Sequence, residues 1–251
     1  MTTTHQLPAL DCHAHIAPDV TQRQLAALGG ATVFAVTRDL DEAELVTKRQ
    51  DEKLVWGIGV HPAIPAAIAA YDPDRLRALL PHFALIGEVG LDRRTPLDDG
   101  RRVFTDILAA CRDQPVLISV HGTGRASAVL DEIEHRRHPG VILHWFTGDL
   151  RDLSRALEMN LYFSVNNAMH DTLIQAIPHD RILPETDFPA RKVRTQRPGQ
   201  IEPLEERLSN LWNQSGPDVR HRLWRNLKKL AIDSGAIETL PEHIADIVVA
   251  T

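Results

Sequence analysis

The chain has 251 residues, with 28 Lys and Arg against 34 Asp and Glu, a formal net charge of −6. This ordinary globular composition is enough for a sizeable core, and its acidic balance excludes a broad basic surface. A bound nucleic acid would have to be held by local basic patches and metal ions. No apolar run is long enough to span a bilayer, Met1–Gln6 is polar rather than a leader, and the two cysteines, Cys12 and Cys111, follow no C-x-x-C spacing, so the expectation is a cytoplasmic protein without a structural disulfide.

In chain order, Leu7–Leu10 is a short apolar run that leads as a strand into Asp11-Cys12-His13-Ala14-His15. Val20–Leu28 is helical and stops at Gly29-Gly30, and Ala31–Val36 is a β-branched and aromatic strand. Leu40–Gln50 has helical periodicity, Leu54–Val60 is a strand closed by His61-Pro62, and Asp72–Leu80 is a helix with Pro73 in its first turn. Ala84–Leu91 is a strand carrying Glu88, followed by a helix over Arg101–Arg112. Pro115–Val120 runs into His121, Ala126–Arg136 is a helix, Val141–Leu143 runs into His144, and Leu150–Met159 is a helix. Leu161–Val165 and Ile182–Leu183 are the last strands, the second running into Glu185-Thr186-Asp187, and Ile201–Trp212 and Val219–Ile232 are closing helices.

Strands that alternate with helices pair in parallel through right-handed crossovers, and eight such units in about 250 residues make a (β/α)8 TIM barrel. The helices after strands 1 and 7 look short, which predicts irregularity there. No Gly-rich phosphate loop follows any strand, and no linker or charge block divides the chain, so one barrel domain over residues 1–251 is expected.

Catalytic groups of such a barrel collect where the strands end. His13, His15, Glu88, His121, His144 and Asp187 all lie at or just beyond a strand end. His13 and His15 are two apart on a strand and so share a face. Taken singly each has an ordinary explanation: a strand-end histidine, a loop carboxylate, a turn cap. Together they suit two divalent ions about 3.5–4 Å apart that share a carboxylate. The expected grouping is His13, His15, Glu88 and Asp187 on one ion, and Glu88, His121 and His144 on the other. Glu88 is the bridge and Asp187 is also placed to orient and deprotonate the attacking water. Mixed nitrogen and oxygen donors leave Mg, Mn and Zn open. Of the other histidines, His135, His138, His179, His221 and His243 are expected on the surface.

Five blocks in order, Asp11-Cys12-His13-Ala14-His15, Gly59-Val60-His61-Pro62, Ile86-Gly87-Glu88-Val89-Gly90-Leu91-Asp92, Leu143-His144-Trp145-Phe146-Thr147-Gly148 and Glu185-Thr186-Asp187-Phe188-Pro189, resemble the successive signatures of TatD-like metal-dependent hydrolases. The resemblance implies a TIM-barrel metallohydrolase of the amidohydrolase type, typically a DNase that cuts single-stranded ends with Mg²⁺, Mn²⁺ or Zn²⁺. It carries over the same six metal residues and places His61 near the substrate. Arg101-Arg102-Val103-Phe104 and His144-Trp145-Phe146 resemble the QatD branch, which implies protein partners in an anti-phage defence complex. Two departures bear on substrate handling. His121-Gly122-Thr123-Gly124-Arg125 stands where the family has His-Ser-Arg, so Arg125 meets a phosphate only if the loop bends back. Arg93-Arg94 stand where an aromatic residue is common.

Arg191, Lys192, Arg194 and Arg197 form a basic loop after the last ligand, which either holds a nucleic-acid backbone or is simply solvated. Trp145 and Phe146 either stack a base or belong to the core. Asn226 reads as structural, and His170 has no assigned role. Three functions are open on this reading: a metal-dependent phosphodiesterase on single-stranded DNA, a hydrolase of small esters, lactones or amides, and a partner-binding subunit without turnover.

Overall fold

A computed structural model describes residues 7–251, and the polar opening Met1–Gln6 lies outside the described residues. The first half of the chain forms β1 (Leu10–His15), α1 (Gln22–Ala26), β2 (Thr32–Val36), α2 (Leu40–Val46), β3 (Leu54–Ile58), α3 (Pro65–Ala69), α4 (Pro73–Leu79), β4 (Leu85–Gly90) and α5 (Leu97–Cys111). Then come β5 (Leu117–His121), α6 (Ala126–His135), β6 (Val141–His144), α7 (Leu150–Glu158), β7 (Tyr162–Val165), α8 (Asp171–Ala176) and β8 (Ile182–Pro184). Helices α9 (Glu202–Trp212), α10 (Gly216–Asp233) and α11 (Glu242–Ala250) complete it.

The eight strands form one sheet in sequence order, every neighbouring pair parallel, from Leu10 against Thr32 to Val165 against Pro184. Beyond β8 the chain fastens onto β1: Asp187 N–H donates to His13 O at 2.9 Å and His15 N–H donates to Phe188 O at 2.8 Å. The result is the expected (β/α)8 barrel. Strands covered outside by helices and filled inside by side chains must be apolar on both faces. Accordingly β2 (TVFAV) and β3 (LVWGI) are buried along their whole length.

Two apolar clusters follow from strand alternation. One joins strand residues such as Val33, Ala35 and Ile118 to the surrounding helices. The other joins Leu10, Phe34, Leu117, Ile142 and Leu183 to Trp224 and Leu227 of α10 and Ile244 and Val248 of α11. Trp224 Nε1–H donates to Pro8 O at 2.8 Å, and Asn226 Nδ2 donates to His179 O and Ile182 O, both at 2.7 Å. Helix α10 is therefore tied to the starts of β1 and β8, closing the end opposite the rim where the strands finish, and Asn226 has the structural part expected of it.

The two short helices are as anticipated: α1 buries no residue and α8 buries only Ile174. Helix α5 begins at Leu97 rather than Arg101. Asp98-Asp99-Gly100 reads locally as a turn, but both acids sit in the first turn, where they favour the helix dipole, and Gly100 packs over Leu91. Helices α3 and α11 were not foreseen, being short and carried by few buried residues. His138 corrects another expectation. It is buried, its Nδ1 accepting from Gly140 N–H and its Nε2–H donating to Gln114 O, each at 3.0 Å, so the ring satisfies one backbone group of its own turn and one of the segment before β5. Among the described residues no helix is long and apolar enough to cross a membrane.

Phe104, 1% exposed in the middle of α5, is a test of the outer cluster. Phe104→Ala is expected to cost about 3–5 kcal/mol, because the site cannot collapse around so large a void. The check is a lower urea midpoint at unchanged slope.

Candidate metal centre

The strand ends bring the predicted residues to one rim. Alternation points His13 and His15 of β1 the same way, β4 supplies Glu88, and β5 and β6 end on His121 and His144. Asp187 follows β8 in the left-handed region (φ 44°), which short Asp tolerates. The pairing shifts register within β1, between Asp11 and Ala14, and within β4, between Ile86 and Val89. Such bulges re-aim side chains beside sites, and here they fall in the two strands that supply half of the cluster. Close approach fixes two glycines. A Cβ on Gly59 would lie 2.3 Å from Glu88 N, and one on Gly90 would lie 2.1 Å from His121 O.

Glu88, 1% exposed, is the centre of the arrangement. Its Oε2 faces His15 Nε2 at 3.1 Å, His61 Nε2 at 3.3 Å and His13 Nε2 at 3.7 Å, while its Oε1 faces His121 Nδ1 at 2.5 Å and His144 Nε2 at 3.5 Å. Asp187 Oδ1 lies 3.8 Å from His13 Nε2 and 3.7 Å from His15 Nε2. Three of the seven separations, those of His13 Nε2 from Glu88 and of both β1 histidines from Asp187, are too long for a hydrogen bond. As a set, the separations lie around the distance of about 3.4 Å between two donor atoms that share a tetrahedral ion with bonds near 2.1 Å. Three triads of donor atoms lie mutually within 4.8 Å: His13–His15–Glu88, His13–His144–Asp187 and Glu88–His121–His144. His13 Nε2, Glu88 Oε2 and His121 Nδ1 are buried without any hydrogen-bond partner. Buried donors and acceptors in this state are costly unless something else satisfies them. A divalent ion fits that role.

The far nitrogens are anchored. His13 Nδ1 bonds Ser119 Oγ at 2.7 Å, His121 Nε2 bonds Asp92 Oδ2 at 2.7 Å, and His144 Nδ1 bonds Glu185 Oε2 at 3.0 Å. Glu185 is itself held by Ser164 Oγ and by Asn166 Nδ2 at 2.7 Å. An imidazole tied at one nitrogen presents the other in a fixed direction, the outer support that metal-binding histidines have. Burial and the nearby charge of His144 push His13 down to about 3. Burial also opposes charge on His144, but Glu185 outweighs it and pushes the ring up to about 10. Burial pushes Asp187 up to about 6, with His144 opposing and Glu185 and Glu88 adding to the rise.

Sequence reasoning missed Asp11, Asp92, Glu185 and Ser119, which hold the cluster's histidines or its loop in place and do not themselves face Glu88. Asp11 accepts from Thr186 N at 2.9 Å, Thr186 Oγ1 at 2.6 Å and Gly199 N at 2.8 Å, locking β1 to the loop that carries Asp187. Three of these four lie inside or at the edge of the quoted blocks, which was the available signal. Asp92→Asn is expected to weaken metal retention about tenfold to a hundredfold by loosening His121, read by competition with a chromogenic chelator. His61 stands in the cluster itself. Arg125 does not line the mouth, a cavity of about 320 Å³. Arg94 does, together with Thr123, Trp145 and Ala190. The His121–Arg125 loop leaves Arg125 at the start of α6 instead. Arg191 lines a neighbouring groove with Lys192. Phe146 is buried in the core, whereas Trp145 is half-buried and borders both cavities.

A parallel barrel that gathers imidazoles around a buried carboxylate at its strand ends defines the class of metal-dependent barrel hydrolases. The chain belongs to the TatD related DNase family, whose model matches residues 10–231. It is 25% identical over 192 residues to the uncharacterized metal-dependent hydrolase YabD of Bacillus subtilis, covering 69% of this chain and 75% of that one. It is 30% identical over 188 residues to the 3'-5' ssDNA/RNA exonuclease TatD of a Rahnella species, covering 68% and 71%. Among solved structures, the TatD homolog YjjV of Escherichia coli superposes with a TM-score of 0.72 at 16% identity, over 88% of this chain and 97% of that one. A TatD family hydrolase from Entamoeba histolytica gives 0.70 at 15% identity, over 90% and 98%. These two likenesses speak for the fold.

Proposed function

We propose that this protein is a metal-dependent phosphodiesterase that removes nucleotides from single-stranded DNA with two divalent ions, Mg, Mn or Zn. His13, His15, Glu88 and Asp187 would hold one ion, and Glu88, His121 and His144 the other. The observation that carries this reading is the division of Glu88: one oxygen faces the His13–His15 pair and the other the His121–His144 pair, with buried donor atoms unsatisfied on both sides. The nucleic-acid part rests on family membership and on the exonuclease named among the relatives.

When bound, the ions supply positive charge that lowers the pKa of water and offsets charge developing on the leaving oxygen. The side chains do the rest. His13, His121 and His144, anchored by Ser119, Asp92 and Glu185, set the geometry. Asp187, which faces His13 and His15 from the edge of the cluster, would accept the proton of the attacking water. His61, with Nε2 3.3 Å from Glu88, stands at the rim against the substrate. Two free, buried cysteines suit a reducing, cytoplasmic setting. The QatD-like runs extend the proposal to protein partners in anti-phage defence, which co-purification with neighbouring gene products would test.

The experiment is nucleotide release from end-labelled single strands with Mg²⁺ or Mn²⁺, beside a panel of small esters, lactones and amides. EDTA and His13→Ala are each expected to abolish release and to lower Tm, since ions that bind only the folded chain stabilise it. Release that survives both treatments unaltered defeats the proposal.

A further inference from the structure

We propose that the groove beside the metal mouth is a second nucleotide subsite, which takes the unpaired base and the phosphate adjoining the bond that is cut. The proposal deepens the nuclease reading and rests on it. The groove has a volume of about 770 Å³, within the range of small-molecule sites, and is walled by the loops that follow β4 to β8 and by Leu173 of α8. Arg94, Thr123, Trp145 and Ala190 border both groove and mouth, so a strand threaded through one enters the other.

Its chemistry is two-sided. Trp145, Met169 and Leu173 supply an apolar surface, and Arg93, Arg191 and Lys192 supply positive charge. Among the described residues no Asp or Glu lines it, in a chain where acids outnumber bases 34 to 28. A base plus a phosphate is the ligand that such a surface complements.

Arg94 stands at the seam. Its backbone N–H and Nε donate to Asp92 Oδ1 at 2.7 and 2.9 Å, and its Nη2 donates to Asp92 Oδ2 at 3.0 Å. The guanidinium is thus gripped along one edge while its side chain stays 62% exposed. A fork held this way offers Nη1 to a phosphate oxygen without losing further side-chain freedom. Trp145 follows His144 with a φ of 38°, a conformation that a bulky residue rarely adopts. That backbone turn sets its ring between mouth and groove. An aromatic face stacks an unpaired base, whereas a base inside a duplex has both faces covered. Preference for single strands would arise at this wall, and not at the ions.

The test compares oligothymidylates of increasing length with bis(4-nitrophenyl) phosphate, a diester with no neighbouring nucleotide, on the metal-loaded protein. The value of kcat/KM is expected to rise about tenfold once a second nucleotide can occupy the groove, and then to level off. Trp145→Ala, and separately Arg191→Ala with Lys192→Ala, should lower the oligonucleotide-to-diester ratio by about tenfold, mainly through KM, and Trp145→Phe should restore most of it. Wild-type protein without length dependence overturns the subsite. So does a Trp145→Ala variant that loses both substrates in equal proportion, because the residue would then act only by holding His144. Absence of turnover on every substrate, diester included, would instead overturn the nuclease reading on which the subsite rests.

Discussion

Asp187→Asn is expected to lower turnover of single-stranded DNA by about a thousandfold while leaving the fold in place. Asn also accepts a left-handed backbone, so the φ of 44° and the hydrogen bonds from Asp187 N–H to His13 O and from Ala190 N–H to Asp187 O can persist. What is lost is a carboxylate that faces His13 and His15 from the open side of the cluster. An amide does not accept a proton from water, so the effect should fall on kcat more than on KM. Elemental analysis separates the two duties proposed for this residue. A variant that keeps its ions but loses turnover lost the base. One that loses an ion as well lost a ligand. Activity close to wild type would remove Asp187 from both.

Glu88→Gln has the broadest expected consequence. The carboxylate is fully enclosed, and the charge of His61 and His121 outweighs the burial that opposes its ionisation, holding it well below the usual carboxylate range. Five imidazoles face it. An amide offers one acceptor oxygen and no charge, so it cannot serve both pairs of histidines. Bound metal should fall from two ions to one at most, activity should fall below detection, and the rise of Tm with added metal should shrink. Two retained ions with normal turnover would mean that the bridge lies elsewhere and would undo the proposed division of ligands.

The barrel was legible because its strands are buried on both faces and so read as short apolar runs, as in TVFAV of β2 and LVWGI of β3. The early start of α5 was not, because Asp98-Asp99-Gly100 has turn chemistry, and its helical state goes with two acids in the first turn and with Gly100 lying close over Leu91. The burial of His138 was hidden for a similar reason: its partners are backbone groups of Gly140 and Gln114, which carry no side-chain signature. In the site, His13, His15, His121 and His144, which face Glu88, could be chosen by their place at strand ends, whereas His61 was expected only beside the substrate, from the family resemblance. Asp92, Glu185 and Ser119 could not, since each matters only through the histidine that it holds.

The amino-acid sequence alone determined the alternation of elements, the parallel barrel and the identity of the donors at its rim, because local periodicity and the two-residue repeat of a strand dictate which faces are apolar and where each strand ends. Only the tertiary structure decided that Glu88 turns one oxygen to each pair of histidines, that Arg94 and not Arg125 reaches the mouth, and that Asp11 pins the first strand to the loop carrying Asp187. Those outcomes depend on loop paths and on contacts between residues up to 188 positions apart, as from Asp11 to Gly199. No pattern within a short window encodes such a distance, and closure of the barrel is what brings the partners within bonding range.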